Sequence, residues 1–402
     1  FVFLSSYLCY MGKSVYILGR ARTPIGSLNG VLSAVPAPKL GAVAIKAAIE
    51  RSGITPDQVD ELYMGNVVGA GIGQAPAQQA GVYAGLPVNI PCTTVNKVCA
   101  SGMKAIMLGA GSISSGDNDI VVAGGMESMS NIPYYLEKAR TGLRLGHGQL
   151  TDGIIKDGLW DPYKDYHMGV AGELCSVEYN IGREEQDKFA AESYTRSAKA
   201  YEQGFFNNEL SPVEIPGKVP TTVGEDEEYK KVNFSKMSSL KPAFAKDGVI
   251  TAANASKIND GAAALVLANE EKIKELGLKP IARIVAYADA SQSPEWFTTT
   301  PIKAMNKALV KAGLTVADID FVEINEAFSC VGIVNARELG IPLDKVNVWG
   351  GAVALGHPIG CSGARITVTL CSILQQYNGR YGMAAICNGG GGASAIIIER
   401  LS

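Results

Sequence analysis

Two cysteines that lie far apart in this 402-residue chain stand beside small residues, where a ligand can approach the backbone closely. Cys99 lies in Val-Cys-Ala-Ser-Gly (98–102), and Cys387 opens Cys-Asn-Gly-Gly-Gly-Gly (387–392). Histidine is scarce: His147, His167 and His357 are the whole set. His357 sits in Gly-His-Pro, a pattern that implies a tight turn fixing the imidazole. A thiol becomes a good nucleophile as the thiolate, and an adjacent base or the positive end of a helix supplies that shift. The residues after Cys99, Ala-Ser-Gly-Met-Lys-Ala, read as a helix start, so Cys99 is expected among unpaired N–H groups that favour negative charge. Asn325 and Glu326 follow the apolar run 321–324, at the carboxyl end of a strand, where α/β sites gather; Asn325 suits a helix N-cap equally well. Gly389 to Gly392 carry neither a P-loop lysine nor a dinucleotide fingerprint. They fit better as backbone donors to a carbonyl oxygen, as an oxyanion hole requires. Two thiols and one base suggest an enzyme that forms a thioester on one cysteine and moves protons with the other.

The elements that must bring these residues together are repeated. Residues 46–64 align with 306–324 at an offset of 260, with Gly53, Ile54, Thr55, Val59 and Asp60 matching Gly313, Leu314, Thr315, Ile319 and Asp320. Each copy reads as a helix stopped by Gly, a turn, then a strand. A second match has an offset of 261: Ser101-Gly102 opens a helix over 103–115 before an apolar strand, and Ser362-Gly363 opens another over 364–376 before a similar strand. Two matches at nearly one offset make duplication the better account. Each half alternates strands with helices, the pattern of mostly parallel sheets covered by helices; 15–18 and 281–286 read as the first strands. The helix over 103–111 lacks a polar face and is expected between sheets. The segment from about 129 to 255 is extra, with charged runs at 183–188 and 224–231 around Pro212, Pro216 and Pro220. It reads either as a surface elaboration or as a substrate-binding lid.

Composition excludes several classes. A net charge of −3 argues against a general nucleic-acid or membrane-surface binder. Eight cysteines without dense spacing and without C-x-x-C suggest neither a disulfide framework nor a zinc site. They suggest reduced thiols, with Cys175, Cys330 and Cys371 as small buried hydrophobes. The first ten residues are too short for a membrane span and carry no Arg or Lys, unlike a transit peptide. The regular pattern begins at Met11. The expectation is a cytoplasmic protein, with the mitochondrial matrix as the alternative.

Taken in order and spacing, Val-Cys-Ala-Ser-Gly, Asn-Glu-Ala-Phe, Gly-His-Pro and Cys-Asn-Gly resemble the four motifs of the thiolases. The resemblance runs from about Met11 to the end and includes Ala-Gly-Gly-Met-Glu-Ser and Gly-Gly-Ala-Val-Ala-Leu-Gly-His-Pro. It implies an α/β fold of two βαβαβαββ halves in an αβαβα layered core with an inserted loop domain. The expected boundaries are an atypical extension over 1–10, a first half over 11–128 and a loop domain over 129–255. A strand over 248–268 returns to the first half, and the second half covers 275–402. By resemblance, Cys99 takes the acyl group, His357 activates it, and Cys387 moves the α-proton. Asn325 orders a water that forms one oxyanion hole with His357, while the N–H groups of Cys99 and Gly389 form the other.

Within the family the chain looks most like the acetoacetyl-CoA thiolases, which join two acetyl-CoA reversibly with no covalent cofactor. His167 and Met168 resemble the residues that contact pantetheine and limit acyl length, and Ser256 resembles a pantetheine contact. Lys231, Val232, Asn233 and Lys236 resemble a coenzyme-A loop; without the resemblance the lysines are an ordinary solvated patch. Tyr194, Ala252, Ala253, Ala255 and Val353 match positions that hold a potassium ion in one subtype. The segment 140–147 lies where the family carries its tetramerisation loop, implying a homotetramer, a dimer of dimers. The expected partners are acyl-CoA substrates, with no nucleic acid and no membrane. Four rivals stand beside this one: a 3-ketoacyl-CoA thiolase of fatty-acid degradation, a Cys-His-Asn hydrolase built on Cys99, His357 and Asn325, a β-ketoacyl synthase, whose cysteine pairs with two His or with His and Asn, and a non-catalytic lipid carrier or scaffold. The hydrolase has no role for Cys387.

Overall fold

The computed structural model describes residues 12–215 and 217–401. The expected extension over 1–10 lies outside them, as does Pro216. The first half runs β1 (Val15–Arg22), α1 (Ala37–Ser52), β2 (Glu61–Gly65), β3 (Cys92–Val95), α2 (Ser101–Ser115) and β4 (Ile120–Ser128). The inserted segment carries α3 (Met168–Glu178) and α4 (Arg183–Glu202), after which β5 (Asn259–Asn269) rejoins the sheet. The second half runs β6 (Ala282–Ser291), α5 (Thr300–Ala312), β7 (Phe321–Ile324), α6 (Ser329–Leu339), α7 (Ala352–Leu355), α8 (Ser362–Gln376), β8 (Tyr381–Asn388) and β9 (Gly392–Arg400).

These strands form one sheet in the order β7-β8-β9-β6-β1-β5-β4-β2-β3, with the short strand Gly26–Ser27 pairing beside β5. The halves join where Val15–Ile17 pairs antiparallel with Ala282–Ile284. Both copies build alike from local chemistry. α1 and α5 stop at Gly53 and Gly313, whose φ values of 80° and 66° are left-handed and cheap for glycine. Thr55 with Gln58, and Thr315 with Asp318, then close matching capping boxes before the next strand. β2 pairs parallel with β4, and β7 with β8.

Alternation along the strands sends one set of residues to each face. Val122, Ala264 and Val266 pack under α1, and Met383, Ala385 and Ile397 pack with residues of α5 and α6. Val121, Ala263, Ala384 and Ile396 face a shared cluster with α2 and α8. The layers are therefore helix, sheet, central helix pair, sheet, helix. The central pair crosses so closely that a Cβ on Gly363 would lie 2.5 Å from the Met103 nitrogen. Two expectations need correction. Mostly parallel sheets are the expectation, but β4, β5, β1, β6, β9 and β8 pair antiparallel in turn, and among these strands only β3–β2, β2–β4 and β7–β8 are parallel. The strand placed over 248–268 begins only at Asn259, because Thr251 and Asn254 close a turn, Thr251 N–H donating to Asn254 Oδ1 at 2.8 Å. The stretch before β5 is thus a loop, and it carries Ser256.

Candidate active site

The Cys99 elbow sits between β3 and α2. Val98 has a φ of +47°, which a β-branched residue adopts only under strain, of about 1–3 kcal/mol. Neighbours hold it there. Val98 N–H donates to Asn96 Oδ1 at 2.9 Å, while Ser101 Oγ donates to the Val98 carbonyl at 2.6 Å and accepts from Lys97 N–H at 2.8 Å. Lys97 Nζ is in turn tied to the second half, at Asp289 Oδ1 (2.7 Å) and Ser394 Oγ (2.8 Å).

The thiol is not the thiolate that its helix-start position suggested. Cys99 precedes the first helical residue, Ser101, by two positions. Burial pushes its thiol up to about 12, against N–H donors from Gly389 and from Cys99 itself. Desolvation outweighs the helix terminus, so a base must take the proton during reaction. Cys387, at the end of β8, is buried, and its thiol lies well above the ordinary range. Burial is the main cause, with the neighbouring Cys99 and then Cys175 sulfurs adding to it.

His357 follows the end of α7, with Gly356 at φ +112° making the turn and leaving no room for a Cβ beside Asn259. Its N–H donates to Asn259 Oδ1 at 2.9 Å. Its Nδ1 lies 2.6 Å from Ser362 Oγ, whose own proton goes to the Pro358 carbonyl at 2.9 Å. The hydroxyl therefore accepts from Nδ1–H, which leaves Nε2 bare and able to take a proton. Burial, assisted by Arg365, lowers the imidazole to about 3 and keeps it neutral. Asn325 Nδ2 lies 3.4 Å from that Nε2, and Asn325 Oδ1 is buried without a partner, aimed at nothing the protein supplies.

A cavity of about 220 Å³ opens on these groups. Cys99, His357, Gly389, His167, Met168 and Ser256 line it. His167 caps α3 with Nδ1 accepting from Gly169 N–H at 3.0 Å, so its Nε2 carries the proton. Its ring stacks on Phe244 at 4.8 Å. Ser256 Oγ donates to the Ala327 carbonyl at 2.9 Å. Sequence reasoning missed the apolar wall of Phe244, Phe297, Leu159 and Met129, and Phe328 within the Asn-Glu-Ala-Phe phrase. It also missed Glu127, which accepts from the N–H groups of Val67 and Gly360 at 2.9 Å each and so straps the loop after His357 to the first half. Burial lifts that carboxyl to about 7.

The residues assigned to a coenzyme-A loop stay off this cavity. Lys231 Nζ is held by Glu227 Oε1 at 2.6 Å and Ser27 Oγ at 2.5 Å, Val232 packs against the Tyr194 cluster, Asn233 Oδ1 accepts from Ser235 Oγ, and Lys236 is exposed. Tyr194, Ala253, Ala255 and Val353 do come together, while Ala252 is exposed. They do not fit a potassium ion. Lys257 Nζ donates to Tyr194 Oη at 2.7 Å, the Ala255 carbonyl at 2.9 Å and the Val353 carbonyl at 3.2 Å. An ammonium already uses the oxygens such an ion needs, and its charge repels a second cation. Burial lowers this amine to about 8, opposed by Glu228 and Glu326, so it is charged at neutral pH.

Comparison with known proteins covers nearly all of the chain. Residues 15–271 match the family model described as the thiolase N-terminal domain, and 278–400 match the thiolase C-terminal domain. The acetyl-CoA acetyltransferase of Schizosaccharomyces pombe is 53% identical over 97% of this chain and all of its own. Acetyl-CoA acetyltransferase 1 of Arabidopsis thaliana is 52% identical over 97% of this chain and 95% of its own. Among solved structures, the Acat5 thiolase of Ascaris suum in complex with coenzyme A superposes with a TM-score of 0.92 at 46% identity, covering 97% of this chain and 100% of that one. The acetyl-CoA acetyltransferase of Bacillus anthracis gives 0.95 at 40% identity, covering 98% and 100%.

Proposed function

This chain belongs to the thiolase family, and from that premise we propose that it is an acetyl-CoA acetyltransferase, joining two acetyl-CoA into acetoacetyl-CoA and free CoA, reversibly. The observation that carries the reading is the opening of Cys99, neutral His357 and Gly389 onto one small apolar cavity. In the first half-reaction His357 Nε2 takes the Cys99 proton as the sulfur attacks the thioester carbonyl. The carbonyl oxygen gains charge beside the Gly389 and Cys99 N–H groups, and the departing CoA sulfur takes the proton from His357. That leaves acetyl-Cys99.

In the second half-reaction the α-carbon of another acetyl-CoA attacks the acetyl carbonyl, and Cys99 leaves. Cys387 relays the proton: its own S–H proton passes to the departing Cys99 sulfur as its sulfur accepts the α-proton, so both thiols are regenerated. A buried thiol whose anion is disfavoured is a strong base once formed, which suits an α-carbon acid. The unpartnered Asn325 Oδ1 and its amide beside Nε2 support a water held between Asn325 and His357, the second oxyanion site.

Met168 and the Phe244–Phe297 wall limit the acyl group to a short chain, and His167 Nε2–H and Ser256 meet the pantetheine arm. Lys236 and the nearby Asn233, exposed and off the cavity, are read as partners of the coenzyme's phosphates. Potassium has no part in this reading. Exposed Leu143, Leu145 and Leu150 in the loop around 140–150 support a homotetramer. Seven free thiols among the described residues support a reducing compartment, the cytoplasm or the mitochondrial matrix. The test is thiolysis of acetoacetyl-CoA beside 3-ketoacyl-CoAs of longer chain. The four-carbon substrate should be preferred, and Cys99→Ala and Cys387→Ser should each lower kcat by about 1,000-fold or more. Preference for long chains, or full turnover by Cys387→Ser, would overturn the reading.

A further inference from the structure

Lys257 is one position beyond the Ala-Asn-Ala-Ser phrase, and nothing in the proposed chemistry uses it. Its ammonium has three N–H donors, and each has an oxygen within reach, from three different parts of the chain. Tyr194 Oη comes from α4, in the inserted segment, and the Ala255 carbonyl from the loop before β5. The Val353 carbonyl comes from α7, four positions before His357. Each contact leads toward the cavity. Ala255 precedes Ser256 and bridges Phe328, both in the cavity wall. Val353 is further fixed by its N–H to Glu326 Oε2 at 3.0 Å. Glu326 is buried and takes Ser193 Oγ and Asn347 Nδ2 as well, so the segment leading to His357 hangs between a carboxylate and an ammonium.

We infer that Lys257 is a tethered monovalent cation: its ammonium holds the Ser256 and His357 segments in register for acyl transfer, and the enzyme works without potassium. The inference rests on the acetyltransferase reading above. An ammonium resembles potassium in charge and size and prefers the same neutral oxygens, but its tether makes binding independent of salt in solution. Lys257 itself lines the cavity, but its ammonium is taken up by the Tyr194, Ala255 and Val353 oxygens, so it acts as a positioning residue for the wall and for the segment before the base.

Potassium response distinguishes this role from simple packing. Thiolysis of acetoacetyl-CoA is measured for the full chain in potassium-free sodium buffer and in the same buffer with potassium, together with thermal unfolding. The wild type should show equal rates and equal Tm in both. Lys257→Thr removes the ammonium but leaves its space; kcat should fall about 10- to 100-fold in sodium, and potassium should restore most of it and raise Tm. In Lys257→Met the stem fills the space, so the same loss should persist in potassium. Severalfold activation of the wild type by potassium would overturn the inference, as would a Lys257→Thr enzyme that is fully active without potassium or unrescued by it. If Lys257→Thr fails to fold, the wild-type response decides alone. A wild type that does not cleave acetoacetyl-CoA sinks the acetyltransferase reading instead, and the Tm shift of Lys257→Thr still reports on the cation.

Discussion

The two sulfurs and the imidazole of this site are all held uncharged by burial, Cys99 at about 12 and His357 at about 3. A resting ion pair is therefore absent, and proton transfer must accompany attack. The pH behaviour follows with a definite sign. The unfolded chain protonates this histidine near its ordinary 6.5, whereas the native chain waits until about 3. The residue's contribution to stability is thus complete above pH 6.5 and is lost as pH falls from there toward 3. Urea unfolding at about pH 7.5 and about pH 5 should show a smaller loss for His357→Asn than for the wild type. Equal losses would contradict the buried neutral imidazole. Cys99 and His357, which line one cavity, could be picked out in the sequence because small residues and a Gly-His-Pro turn mark them locally, as small residues mark the buried Cys387. The charge state of Cys99 was not legible, since desolvation comes from residues distant in the chain. Lys257 was hidden for the same reason: beside polar neighbours it reads as a surface lysine.

Elements carry these groups through backbone contacts too close for side chains. Gly125, in β4, faces the loop after His357, where an added Cβ would lie 2.1 Å from the Gly360 carbonyl oxygen. Gly125→Ala must push that loop away. It should lower kcat by about 100-fold and stability by about 1–3 kcal/mol. Gly69→Ala, whose Cβ would meet only Asn66 Oδ1 at 3.5 Å, serves as the neutral control. A Gly125→Ala enzyme with normal kcat would remove this strap from the account. Helix stops and capping boxes are written in neighbouring residues, which is why the repeat could be read directly. The cavity wall could not, because Phe244 and Leu159 reach it from an inserted segment without periodicity.

At the scale of the molecule, the loop around 140–150 presents leucines to solvent, with Leu145 fully exposed. On the homotetramer proposed above, replacing Leu143 and Leu145 by Ser should shift the sedimentation mass from tetramer to dimer with Tm little changed; a mass the substitutions leave unchanged would count against this loop as a subunit contact. The duplication has a further consequence. Subtracting the 261-residue offset from His357 gives Asn96, and from Cys387 gives Met126; adding it to Cys99 gives Gly360. None of the three counterparts can react, and each serves structure instead. Asn96 holds the backbone of the Cys99 elbow, Met126 fills the first half's core, and Gly360 takes the Glu127 strap. The two copies have parted into worker and scaffold, so substitutions at paired positions should be unforgiving in both halves for opposite reasons: lost chemistry in one, lost alignment in the other.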